Sequence, residues 1–144
     1  MINQDIMRSW PHNWYGFWKS DGYENDELPT LQSVFDLLWN PDDKDALITY
    51  LETSPVVLAS TARTTCLSCP SEVAANSFQF DGVWLWPRSL SHYVRFHSVV
   101  LPDRFVQRIR DRSYTAPKEE GVSDVSVRDL PWPHSWAGMR DLEW

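Results

Sequence analysis

A chain of 144 residues with 42% apolar content, nine Trp, six Phe and five Tyr can bury one aromatic-rich core, which excludes wholesale disorder. Its formal charge of −7 argues against general affinity for nucleic acid or an anionic membrane. No apolar run approaches the ~20 residues of a membrane span, and MINQDIMRSW carries no basic-then-apolar leader, so a soluble, cytoplasmic protein is expected.

Residues 1–144 read as a single α+β domain. Residues 10–18, WPHNWYGFW, place Trp10, Trp14, Phe17 and Trp18 at helical spacing, but Pro11 and Gly16 oppose a helix. An irregular segment packing its rings onto the core is expected there. An acidic loop follows to Pro29, and Leu31, Val34, Phe35 and Leu38 then predict a short amphipathic helix or helical turn. Asn40-Pro41-Asp42-Asp43 predicts a capped start for a helix over 41–52, with Ala46, Leu47, Tyr50 and Leu51 inward and Ser54-Pro55 as the stop. Val56, Val57 and Leu58 suggest a strand leading to the first cysteine.

Residues 66–97 carry the chemistry. Cys66 and Cys69 are spaced C-x2-C, which in a reducing compartment points to metal or redox chemistry. Residues 78–86, FQFDGVWLW, predict a β-hairpin turning at Asp81-Gly82, with Phe80 opposite Val83 and Phe78 opposite Leu85. Gln79, Trp84 and Trp86 then share the other face. A helix over 88–97 follows Pro87 and carries His92 and His97 back toward the cysteines. The order C-x2-C, hairpin, helix with H-x4-H resembles the ββα zinc-finger unit, so Cys66, Cys69, His92 and His97 are the candidate zinc ligands. The gap from Cys69 to His92 exceeds the roughly 12 residues of a DNA-reading finger. Five helical residues also turn a side chain by about 140°, so joint ligation requires the last turn of the helix to distort. Two other readings stay open: ordinary small and core-satisfied residues, or a dithiol redox pair. The redox reading lacks a Trp before Cys66, and Pro70 follows the pair. With four protein ligands, zinc here would be structural, with no open position for catalysis.

Leu101-Pro102-Asp103 opens a helix over 102–112, with Phe105, Val106 and Ile109 inward. Arg104, Arg108 and Arg112 lie on one face as either an acid-paired surface or a docking face. Residues 116–121 read as a loop or linker, Val125 and Val127 suggest an edge strand, and the Trp-rich residues 128–144 are expected to pack back on the domain. Residues 10–16 and 132–138 share the pattern W-P-H-x-W-x-G, so Trp14 and Trp136 could anchor paired loops or an aromatic binding surface.

Residues 65–102 resemble a group of small, largely uncharacterised bacterial proteins. Their shared core runs C-R-x-C-G, then T-D-G-V-x-x-W-P-E-G-L-x-H-Y-V, then H-x-V-x-L-P. The matching residues are Cys66, Cys69, Asp81-Gly82-Val83, Trp86-Pro87, Leu90, His92-Tyr93-Val94, His97, Val99 or Val100, and Leu101-Pro102. Leu67, Pro70 and Arg88-Ser89 depart from that core. The resemblance implies that the cysteine and histidine motifs belong together, and it brings no established activity.

No G-x-S-x-G, H-E-x-x-H, glycine-rich phosphate loop or recognisable carboxylate pair is present, so no catalytic residues are assigned and no enzyme is expected. The size and acidity suit a cytosolic protein-binding role, with a bacterial immunity (antitoxin-type) protein that blocks a cognate toxin as the leading expectation. Trp84, Trp86, Arg104, Arg108, Arg112, Trp14 and Trp136 are its candidate partner-binding residues. The alternative is a zinc-finger-like nucleic-acid-binding protein using the arginine helix and Trp84/Trp86.

Overall fold

The hairpin at Asp81-Gly82 lies at the centre of the molecule. The computed structural model describes residues 4–19, 28–122, 125, 126 and 129–133. In chain order the α-helices are α1 (Gln4–Ser9), α2 (Lys44–Thr53), α3 (Leu90–Phe96) and α4 (Asp103–Asp111), with 3-10 turns at Leu31–Val34 and Glu119–Gly121. The strands are β1 (Val56–Leu58), β2 (Thr64–Thr65), β3 (Glu72–Val73), β4 (Phe78–Phe80) and β5 (Leu85–Pro87). They form an antiparallel three-stranded sheet, β1-β4-β5, and a separate β2-β3 pair. The α+β class and the knuckle, hairpin and helix order therefore hold. Among the described residues no helix is long and apolar enough to cross a membrane.

The central hairpin pairs two residues further out than expected. Phe80 faces Leu85, Gln79 faces Trp86 and Phe78 faces Pro87. The cause is the Asp81 side chain, whose Oδ1 accepts the backbone N–H groups of Val83 (2.9 Å) and Trp84 (2.6 Å). The Asp81 N–H in turn donates to the Trp84 carbonyl at 3.1 Å. These bonds move the two-residue tip from Asp81-Gly82 to Gly82-Val83, with Gly82 at φ 95° where an L side chain would be strained.

Residues 13–15 lie along the free edge of β5. The Leu85 N–H donates to the Asn13 carbonyl at 2.9 Å, and the Tyr15 N–H donates to the Leu85 carbonyl at 3.0 Å. Gly16 follows at φ 96°, where a Cβ would sit 3.0 Å from Pro87 Cδ. The aromatic segment thus covers one face of the sheet. Trp10, Tyr15, Trp18 and Tyr93 meet edge to face in series, and Phe17 and Trp132 both contact Phe78. On the other face α2 and α4 supply Tyr50, which stacks on Trp86, and Phe105, which stacks on Trp84. With both faces covered, every residue of β4 and β5 is buried. The burial of Leu130 and Trp132 shows residues 130 and 132 packed onto the domain; Val127 and 134–144, including Trp136, lie outside the described residues. Val125 forms no strand.

Several boundaries moved for local reasons. The helix expected from 41 begins at Lys44, with Asp43 in the N-cap position and its carboxylate accepting from Arg110 at 2.8 and 3.1 Å in place of a cap bond. The amphipathic pattern of 31–38 yields one 3-10 turn. Phe35 then enters a bridge to Val99, and the Asp36 carboxylate accepts from the Leu38 N–H at 2.9 Å, so the segment leaves the helical spiral.

Candidate metal centre

The β2-β3 pair presents a tight turn whose ladder the Cys66 N–H extends, donating to the Ser71 carbonyl at 2.8 Å. Within the turn, the Ser68 N–H points back at Cys66 Sγ, 3.4 Å away. The Leu67 N–H donates to the Tyr93 hydroxyl at 3.1 Å, which locks the turn against α3. Tyr93 is itself fully buried against Trp18, so the turn is referenced to the rigid core.

The helix supplies the other two donors, and the distortion needed for joint ligation is present. α3 stops at Phe96. His97 is its C-terminal cap at φ −128°, and Ser98 adopts the left-handed region at φ 55°. Because His97 has left the spiral, its ring need not sit 140° from that of His92. The ring centroids are 5.1 Å apart.

Cys66 Sγ lies 3.3 Å from His97 Nε2, and Cys69 Sγ lies 3.4 Å from His92 Nε2. All four donor atoms fall within 4.8 Å of one another. A tetrahedron built on zinc bond lengths needs donor separations of about 3.4–3.8 Å, so the four atoms stand within an ångström or so of that figure. Two thiols and two imidazoles are a borderline-soft set suited to zinc, and Cys66, Cys69, His92 and His97 would hold such an ion with no protein-free position. Hydrogen bonds from the Ser71 hydroxyl and backbone, then from His97 and His92, hold the Cys69 thiol down to about 6. The thiolate required of a metal ligand is thereby favoured at neutral pH.

The expected partner-binding residues fare differently. Trp84 (1% exposed), Trp86 (0%) and Trp14 (2%) are core residues and are unavailable as a surface, because helices and the N-terminal segment cover both faces of the sheet. The arginine face is engaged by acceptors of the protein itself, with Arg104 exposed and Arg108 and Arg112 half-buried. Arg108 donates through Nε to Asp81 Oδ2 at 3.3 Å and through Nη2 to the Asp81 carbonyl at 3.0 Å. Arg104 donates to the Trp10 carbonyl and to Asn13 Oδ1, each at 3.0 Å, and lies over the Trp84 ring. Arg112 donates to the Thr115 carbonyl at 3.0 Å. His12 stacks on Trp14 with centroids 4.5 Å apart, as befits a packed loop.

A surface not evident from the sequence lies beside the Cys/His cluster. Leu37 (79% exposed), Leu38 (91%) and Phe96 (66%) project outward, with Phe35 and Leu67 also exposed. Leu31, Phe35, Leu37, Ser68, Phe96 and His97 line a cavity of about 270 Å³, so a candidate ligand forms part of its wall. One signal was available: Phe96 follows His92 by four residues and so lies off the apolar stripe of Leu90, Tyr93 and Val94. No family model, curated protein or solved structure matches this chain.

Proposed function

We propose that this chain is a non-enzymatic cytosolic binding protein of the bacterial immunity (antitoxin) type. In this reading a structural zinc ion on Cys66, Cys69, His92 and His97 fixes the knuckle to α3 and steadies an apolar docking face. The observation that carries the reading is that Phe35, Leu37 and Phe96, all exposed, line one cavity walled partly by His97 and Ser68. Isolated exposed apolar residues are ordinary, whereas a contiguous set beside a cavity is a feature of interaction sites. The small size and the charge of −7 favour a basic toxin as the partner.

The test is co-expression with the product of a neighbouring toxin gene. The wild-type chain rescues growth and co-purifies with the toxin, while a Leu37→Glu/Phe96→Ser variant with an unchanged circular dichroism spectrum does neither. Unimpaired rescue by that variant would remove the face from the reading. The nucleic-acid alternative loses support because Trp84 and Trp86 are buried and Arg108 is held by Asp81. A salt-dependent gel shift would restore it.

A further inference from the structure

We propose that the metal centre is a peroxide-sensitive switch, in which oxidation of Cys66 and Cys69 to a disulfide expels the metal and dismantles the adjoining docking face. The inference rests on the metal-centre reading above and adds its regulation.

The two thiols differ in access. Cys66 is buried, at 4% exposure, whereas Cys69 is partly open to solvent. Their sulfur atoms lie within 4.8 Å of each other, and a disulfide needs about 2.05 Å, so the closing movement is under about 3 Å. The residues between them, Leu67 and Ser68, are exposed, so the turn can tighten without moving the core once the Leu67 N–H leaves the Tyr93 hydroxyl. The chain has two cysteines in all, so the partner of an oxidised Cys69 is settled. His92 and His97 cannot follow the sulfurs, because Tyr93 and Val94 anchor α3 in the interior.

The reaction balances with one peroxide. The Cys69 thiolate attacks one oxygen, the O–O bond breaks, sulfenic acid forms on Cys69 and hydroxide leaves. The Cys66 thiolate then attacks the Cys69 sulfur and expels a second hydroxide. The two sulfurs together lose two electrons, peroxide gains them, and two solvent protons complete two waters. Two imidazoles remain, too few donors to retain zinc against water. The knuckle is released from His97, and the cavity wall formed by Ser68 and His97 separates.

The experiment uses the full chain purified without a metal-affinity column, titrated with hydrogen peroxide in the presence of a zinc indicator dye. The expected result is one zinc released per chain, loss of both free thiols and a mass decrease of two hydrogens. Peptide mapping should show a Cys66–Cys69 link, and dithiothreitol with added zinc should reverse the change. Retention of zinc through the titration, or gain of oxygens on the cysteines without a disulfide, would overturn the switch while leaving the metal site standing. A protein that neither contains zinc nor takes it up would overturn the metal reading and the switch with it.

Discussion

Two hairpins dock against helices in this molecule by opposite means. The β4-β5 hairpin is buried on both faces and secured by a saturated carboxylate. Asp81, with its side chain fully buried, accepts from the Tyr50 hydroxyl at 2.6 Å, from Arg108, and from two backbone N–H groups. The β2-β3 hairpin has two residues per strand, and Val73 alone among those four is buried. It lacks the apolar area to hold itself in place, since a small hairpin is marginal without packing. Its attachments are the Tyr93 hydroxyl and the Cys/His cluster. Apolar burial fixes one hairpin; the other adds to the burial of Val73 and Cys66 a set of donors that could hold a metal.

The largest effect should come from the buried hairpin. Trp86→Ala removes a wholly buried ring and the bond from its Nε1 to Gln79 Oε1, for a loss of about 3–5 kcal/mol in urea unfolding. Zinc stoichiometry in the folded fraction should be unchanged. A loss under about 1 kcal/mol would mean that the ring does not anchor the hairpin. Asp81→Ala leaves the Arg108 Nε–H, the Tyr50 hydroxyl and two backbone N–H groups without their acceptor, and about 3 kcal/mol should be lost. Burial first, and then the Asp81 carboxylate, push the Tyr50 hydroxyl up, so its ionisation should fall back toward the ordinary range in this variant; an unmoved spectrophotometric titration would contradict the bond.

Breaking the other hairpin should leave the core intact. Cys66→Ser should abolish zinc binding and speed amide exchange in 64–73 by about 100-fold. That is the factor matching about 2.7 kcal/mol of ligand stabilisation at a hundred times Kd. Near-ultraviolet circular dichroism of the tryptophans should barely change, and its collapse would show that the knuckle supports the whole fold.

The smallest effect belongs to the ion pair that bridges α2 and α4 outside either hairpin. The Arg110 hydrogen bond, helped by Tyr114, holds the Asp43 carboxyl down to about 2 from its ordinary 3.8. Its contribution is therefore full above about 3.8 and lost as pH falls toward 2. Because Arg110 is well exposed, Asp43→Asn should lower stability by only about 0.5–1 kcal/mol at pH 7, by a small fraction of that at pH 2, and by nothing well below it. An undiminished difference at pH 2 would remove the ion pair as its cause.

Much of the candidate site was legible in the sequence. The C-x2-C and H-x4-H spacings name all four donors, because ligand chemistry is carried by residue type. A hairpin near Asp81-Gly82, the helix stops and the apolar stripe of α4 were equally readable, whereas in α2 Ile48 takes the buried place expected of Ala46. The arginine helix could not be resolved by pattern: a row of charges looks the same whether it meets a partner or, as with Arg108, a carboxylate from a distant hairpin.

The sequence by itself determined which residues can bind metal, where the chain turns and that an aromatic core must form. These properties depend on side-chain chemistry and on neighbours a few residues away. The tertiary structure decided which faces are buried, since the covering of β5 by residues 13–15 and of the sheet by α2 and α4 removes Trp84 and Trp86 from the surface. It also decided the hairpin register, through one carboxylate taking two backbone N–H groups. The convergence of the four donors was settled there as well. His92 and His97 meet because α3 ends one residue before His97, and that ending depends on the left-handed turn at Ser98 and the run of Val99 into its bridge with Phe35.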